Sequence, residues 1–381
     1  MAQKTTYFPS LNGVRLIAAS MVVIAHIEAF KNKSGFPSFA DHPIINSLGP
    51  QGVAIFFVLS GFLITYLLLA EKNHYNKISL RKFYTRRILR IWPLYFVVLI
   101  LGFFVLPHSG LGDFLVSTEE YFTLKLLLCI AILPNFVYNL FGHMLMIGPL
   151  WSVGAEEQFY LIWPNVINSL KKKIKVKPIL FSYLTILSIK VLSHVIFKHN
   201  DSLEFSPLIF KTCKTLSYIL KYDLMILGGF MAYFAYKKHK LLDIVYNKYW
   251  QLFCVLAVLA CWFTKPALYG LEDTILGILY GSIITNLATN SGAIFKLENR
   301  FYNFGGQISY GIYMFHSLFI ALGIKLFSTY LNNFMGNIFL YIFTFSGTIL
   351  LAYLSYKYFE KPILHYKQKF MVVKSSMEKP N

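Results

Sequence analysis

Residues 51–70 read QGVAIFFVLSGFLITYLLLA, twenty positions without Asp, Glu, Lys, Arg or His. Coiled as an α-helix, such a stretch is about 30 Å long, the thickness of a bilayer's hydrocarbon core. Working outward, apolar stretches of similar length recur at roughly 11–30, 87–106, 122–141, 150–168, 177–197, 215–236, 249–265, 271–290, 306–328 and 335–358. The 381 residues are 56% apolar and only 14% charged, against about 25% charged in soluble domains. The composition therefore reads as an all-α integral membrane protein.

Charge decides how many of the eleven stretches cross. The formal net charge is +19, but the basic residues fall in short clusters between apolar runs, as expected for loops facing an anionic cytoplasmic leaflet. No nucleic-acid-binding motif accompanies them. The run Lys72, Lys77, Arg81, Lys82, Arg86, Arg87, Arg90 is placed in the cytoplasm, and the acidic stretch Asp113, Glu119, Glu120 outside. The run Lys171, Lys172, Lys173, Lys175, Lys177 then returns inside. Only an odd number of crossings joins residue 110 to residue 171, so 122–141 and 150–168 cannot both cross.

The second of these contains Gly154, Glu156, Glu157 and Pro164 and is expected to re-enter or tilt, where protein or a watery cavity surrounds it. About ten transmembrane helices result. Asp201, Glu204, Glu272 and Asp273 lie outside, Lys237–Lys240 inside, and both chain ends are cytoplasmic. Residues 1–365 form one membrane-embedded domain, and 366–381 a basic, disordered cytoplasmic tail. The N-terminus has no cleavable signal pattern, so the first apolar run stays as a span. The four cysteines lie in or beside apolar segments without a CxxC pair, which indicates neither a zinc site nor a disulfide framework.

Ionisable groups inside spans are costly and mark pathways or sites. Arg15 and His26 are about 20° apart around the first helix and roughly 16 Å apart along it, so they share a face. A buried imidazole could be a core group bonded to a carbonyl, or a base able to accept a proton. Arg86, Arg87 and Arg90 cluster at the cytoplasmic mouth of the third span; guanidinium groups there can bind phosphate bidentately or anchor lipid headgroups. Glu156 and Glu157 are too costly to face lipid; one could orient a histidine, or both could pair with basic helix ends. His316 is either a second catalytic group or a polar link between helices. Lys221 with Asp223, ahead of Gly228-Gly229, reads as an internal ion pair beside close packing. Ser60-Gly61 also allows close backbone approach. No metal-binding motif is present, and two histidines in separate spans do not make a metal site.

Together these stretches resemble the acyltransferase-3 family of bacterial membrane O-acyltransferases. Arg15, ten intervening residues and His26 match its first-helix pattern; Phe56 through Leu63, FFVLSGFL, matches the second-helix motif. Arg86-Arg87-Ile88-Leu89-Arg90-Ile91-Trp92-Pro93 matches the basic third-helix motif. Leu150-Trp151-Ser152 leading to Glu156-Glu157-Gln158-Phe159-Tyr160 matches the Trp-Ser and paired-Glu signature. Asp223 with Gly228, Ser309-Tyr310 with His316, and Glu360-Lys361-Pro362 match less closely. Ser317-Leu318 follows His316 where members often have a proline two residues on.

The resemblance covers residues 7–365. It implies transfer of an acyl group, most often acetyl, from cytoplasmic acyl-CoA to a hydroxyl of an extracytoplasmic glycan or lipid-linked sugar, with no tightly bound cofactor. On this basis His26, Glu156, Glu157 and Arg15 are candidate catalytic residues, and Arg86, Arg87 and Arg90 candidate acyl-CoA ligands. His316, Ser60, Trp151, Ser152 and Asp223 are candidate accessories. The implied location is the bacterial cell membrane. The chain has no counterpart of the esterase-like domain that some members carry, which implies a stand-alone enzyme. A transporter or flippase of a lipid-linked sugar is the alternative, though no inverted repeat is visible.

Overall fold

A computed structural model describes residues 6–8, 10–109, 121–141, 147–169, 176–198, 221–264, 271–372 and 375–376. Asp113, Glu119, Glu120, Lys171, Lys172, Lys173, Lys175, Asp201 and Glu204, whose charges oriented the threading, lie outside the described residues, as does part of the candidate span 215–236.

The described helices are α1 (Leu11–Lys33), α2 (Pro43–Tyr75), α3 (Leu80–Ile100), α4 (Phe122–Ile130), α5 (Pro134–Phe141), α6 (Leu150–Ser169), α7 (Lys177–Lys198), α8 (Tyr222–Lys237), α9 (Leu241–Val245), α10 (Lys248–Thr264), α11 (Glu272–Thr289), α12 (Arg300–Phe327), α13 (Phe334–Ser355) and α14 (Lys361–Lys367). Six helical runs, Leu11–Lys33, Pro43–Tyr75, Leu80–His108, Lys177–Ile196, Arg300–Tyr330 and Phe334–Phe370, are long and apolar enough to cross a bilayer. The chain is a multi-pass membrane protein. Its only described strands are the two-residue segments Thr6–Tyr7 and Ser375–Ser376, which pair in parallel and bring the chain ends together.

The centre is built on α1, which packs between α2 and α12; α8 lies along α2, α11 along α8, and α13 on α12. Large apolar side chains on α7, α10 and α13 stay exposed, among them Phe181, Leu192, Phe253, Ile342 and Leu350. Outward apolar faces suit lipid, because every helical backbone group is already satisfied within the helix. The α2–α8 contact depends on missing side chains. A Cβ on Gly61 would overlap the carbonyl of Met225, and one on Gly228 would overlap that of Val58. Small residues allow this approach between membrane helices, where packing replaces the hydrophobic effect as the driving force.

The segment 150–168, expected to re-enter or tilt, is unbroken. Residues 150–169 form one continuous helix, α6, with Pro164 inside it. Instead 122–141 is broken: α4 and α5 are short, and Ile132 between them has φ 61°, a conformation costly for a β-branched residue. The bend is held from α6. Gln158 Nε2 donates to Ile132 O (3.2 Å) and to Asn135 Oδ1 (2.9 Å), while Asn135 Nδ2 donates to Gln158 Oε1 (3.0 Å). Gly154 leaves room for the Pro134 ring. The polar residues of 150–168 face protein or the central cavity, Glu157 against Trp92 and Glu156 into the cavity, so the helix carries them without a break.

The C-terminal region continues as structure past residue 365. After a π-turn at Tyr356–Glu360 come α14 and a 3₁₀ turn at Gln368–Phe370.

Filling the α2–α8 contact should be costly, since overpacking alone costs about 1–3 kcal/mol and here the obstacle is backbone. Gly61→Val is expected to lower the melting temperature of the detergent-solubilised protein, followed by size-exclusion chromatography after heating. Gly292→Ala, where a Cβ meets only Asn290 Oδ1 at 3.4 Å, should leave it unchanged.

Candidate active site

A cavity of about 430 Å³ opens between α1, α2, α3, α6 and α12, walled on one side by residues 356–371. Its lining includes Arg15, Ser60, Glu71, Arg86, Arg87, Arg90, Ser152, Glu156, Tyr160, Tyr310, Tyr313 and Lys367. Side chains that the sequence spreads over more than three hundred residues therefore share one space.

One end is cationic. Arg15 is buried on α1, where its Nη1 donates to Asn12 Oδ1 (3.0 Å), and Asn12 in turn donates to Asn303 Oδ1 (3.3 Å) on α12. Arg86 lies 3.4 Å from Glu71 Oε2 and donates from Nη1 to Phe370 O (2.8 Å). The Arg87 guanidinium sits 5.3 Å from the ring centre of Tyr160 and 5.8 Å from that of Phe83, within cation–π range, and its buried Nε has no hydrogen-bond partner. Among the described residues no carboxylate lies within ion-pair distance of Arg87 or Arg90. The cavity thus gathers five cations, counting Lys367, against the two carboxylates Glu71 and Glu156.

The paired glutamates part company. Glu156 faces the cavity, accepting from Ser60 Oγ (2.9 Å) on Oε1 and from Tyr160 OH (3.1 Å) on Oε2. Glu157, one position and about 100° further round the helix, accepts from Trp92 Nε1 (3.0 Å) on Oε2, and its buried Oε1 has no partner. Trp151 packs against Phe57 and Tyr138. Ser152 Oγ and Tyr313 OH are hydrogen-bonded at 2.8 Å.

Tyr313 links the cavity to a pair of histidines. His316, fully buried on α12 one turn beyond Tyr313, has Nδ1 2.7 Å from Tyr313 O and Nε2 2.7 Å from Nδ1 of the half-buried His26. A carbonyl only accepts, so Nδ1 of His316 must carry the proton. With both rings neutral, its Nε2 is then an acceptor, and His26 must donate from Nδ1. The basic lone pair of His26 falls on Nε2. Orientation of His26 thus comes from His316, whereas both glutamates are engaged elsewhere.

Asp223 is not brought to this site. Lys190 spans Asp223 Oδ2 (2.7 Å) and Asp273 Oδ2 (2.6 Å), and Lys221 pairs with Asp273. The ion pair expected between Lys221 and Asp223 is therefore replaced by a four-residue network joining α7, α8 and α11. Lys190, for which the sequence suggested no role, is its centre. The site residues that sequence reasoning left out are Glu71, Tyr313 and Lys367. Tyr313 had a signal in its position one turn before His316; Glu71 and Lys367 had none beyond lying near basic clusters.

A family model described as an acyltransferase domain matches residues 8–357. The chain belongs to the acyltransferase-3 family. It is similar to the peptidoglycan O-acetyltransferase OatA of Listeria monocytogenes, 27% identical over 382 residues that cover 94% of this chain and 56% of the relative. It is also similar to the O-acetyltransferase OatA of Staphylococcus aureus, 28% identical over 385 residues, 94% of this chain and 57% of the relative. The chain thus spans a little over half the length of these relatives. No solved structure matches it.

Removing the centre of the Lys190 network would leave the buried Asp223 carboxylate unpaired, which costs about 3–5 kcal/mol. Lys190→Met should therefore melt well below the wild type. Lys190→Met combined with Asp223→Asn should recover part of the loss, as read by thermal denaturation in detergent.

Proposed function

We propose that this protein transfers an acetyl group from cytoplasmic acetyl-CoA to a hydroxyl of an extracytoplasmic glycan. The observation that carries this reading is the cavity itself. A surplus of guanidinium groups stands at one end, and Tyr313, at the other, backs onto a histidine pair with a defined basic nitrogen. Relatives named as O-acetyltransferases, one of them acting on peptidoglycan, make a cell-wall sugar the favoured acceptor.

The residues divide the work by position. Arg86, Arg87 and Arg90 bind the phosphates of the donor through charge-assisted hydrogen bonds, and Arg15 lies one step deeper. The thioester arm runs past Ser60 and Glu156 toward Tyr313. Nε2 of His26 takes the proton of the acceptor hydroxyl as its oxygen attacks the thioester carbonyl. The tetrahedral intermediate collapses with cleavage of the carbon–sulfur bond, and the thiolate leaves with the proton that His26 held. The Tyr313 hydroxyl, once it turns from the bond it shares with Ser152, donates to the developing oxyanion, the kind of contact that contributes most to acyl transfer. Glu156 keeps Ser60 and Tyr160 in place along the way, and Glu157 fixes α6 to Trp92 of α3.

The threading that suits this task has ten crossings with both ends in the cytoplasm of a bacterial cell, and with α4–α5 as the segment that does not cross. Pairing of the two chain ends supports an even number of crossings. Location of the arginine cluster on the Lys- and Arg-rich side supports donor access from the cytoplasm.

His26→Ala should reduce kcat by about 10² to 10⁴, the contribution expected of a general base, in a protein that remains folded although the orphaned His316 Nε2 costs about 1–3 kcal/mol. Envelope glycans from cells carrying only that variant should lack alkali-labile acetyl esters, and normal ester content would sink the assignment. Arg90→Ala should raise the KM for acetyl-CoA about tenfold, the worth of one charge-assisted bond. An unchanged KM would return Arg90 to lipid anchoring, and no acetyl-CoA consumption by the purified wild type would favour a transporter.

A further inference from the structure

Residues 361–371 form a wall of the cationic cavity, and the way they do so points beyond packing. Leu364, Lys367, Gln368 and Met371 line the space; their spacing of three, four and seven marks one face of a helical segment. The Lys367 ammonium stands among like charges. The charged groups acting on it most strongly are Arg90, Arg87, Arg86 and Arg15, and among the described residues no Asp or Glu lies within ion-pair distance of it. A lysine has four flexible bonds with which to swing its charge toward water. Holding it in its charged form beside four guanidinium groups is unfavourable unless an anion occupies the space between them.

The segment is also tied to one of those arginines. Arg86 divides its guanidinium between Glu71 on α2 and the carbonyl of Phe370, and Tyr75 OH reaches Val372 O at the same end (3.4 Å). A ligand that engages Arg86 therefore acts directly on the segment that carries Lys367. CoA has a pyrophosphate and a ribose 3′-phosphate, and the cavity has five cations against two carboxylates.

We propose that Lys367 is a fourth phosphate-binding cation of the donor site, beside Arg86, Arg87 and Arg90, and that segment 361–371 closes over the bound nucleotide portion of the donor. This rests on the reading of acyl-CoA as donor. A phospholipid headgroup offers the same phosphate chemistry, but the cavity runs from Lys367 and Gln368 on to Tyr313 and Ser152, which favours a long-armed nucleotide.

Binding of CoA, dephospho-CoA and pantetheine to the full-length protein in phosphatidylcholine nanodiscs tests it, with Lys367→Ala, Lys367→Arg and Lys367→Glu beside the wild type. Lys367→Ala should weaken CoA about tenfold, as loss of one charge-assisted contact predicts. Lys367→Glu should weaken it further, and Lys367→Arg should restore most of the affinity. Pantetheine, which has no phosphate, should bind the wild type and Lys367→Ala equally. CoA, but not pantetheine, should slow amide exchange over 361–371 in the wild type.

Unchanged CoA affinity in Lys367→Ala overturns the proposal. So does an equal loss toward pantetheine, which would show a purely structural role. Loss of a co-purifying phospholipid in the variant with CoA binding intact would assign the lysine to lipid and overturn it also. If the wild type binds no CoA, the donor reading falls first, and the proposal with it; that outcome is read from the wild type alone.

Discussion

Charge inside an apolar bundle has to be matched or used, and most of the arrangement follows from that cost. Five cations and two carboxylates line one cavity, and four further charges form the closed network around Lys190. The network is a balanced set, two lysines against two aspartates, which suits a structural joint between helices. The cavity is unbalanced, and a positive surplus held by protein is a standing attraction for an anion. The two clusters use the same residue types to opposite ends because one neutralises itself and the other does not.

Helix packing sets how close these groups can come. Gly61 and Gly228 bring α2 and α8 into backbone contact, and Gly61 is adjacent to Ser60, whose hydroxyl holds Glu156. The same stretch of α2 therefore sets both the close packing and the position of Ser60. Similarly, the bend at Ile132 is fixed by Gln158, two residues from Glu156. The clamp on the strained backbone and the site carboxylate therefore belong to one helix, α6.

Much of this was legible in the sequence, because the signals were local. The shared face of Arg15 and His26 follows from helix geometry, and the clustering of Arg86, Arg87 and Arg90 from spacing alone. What sequence could not supply was which distant groups meet. His26 and His316 are 290 positions apart, and no periodicity links them; the orienting partner of His26 was sought among the glutamates for want of a contact. Asp223 was matched with its neighbour Lys221, when Lys190 on another helix is its partner. The glycine, glutamates and proline of 150–168 suggest a re-entrant or tilted segment, yet they lie within one unbroken helix, α6. In a bundle that polarity can face inward, and it is 122–141, with its proline and left-handed isoleucine, that is broken. Residues 366–371 looked like tail because their composition is basic, yet basic composition is also what an anion site requires.

The histidine pair has a consequence for where positive charge resides. A proton arriving at Nε2 of His26 need not remain on that ring. The Nδ1 proton already lies on a 2.7 Å bond to His316, so a short displacement along it transfers the imidazolium character to the buried partner, whose own Nδ1–H is bonded to a carbonyl. No heavy atom has to move. The bond gives the excess proton a second site, although full burial of His316 keeps most of the positive charge on His26.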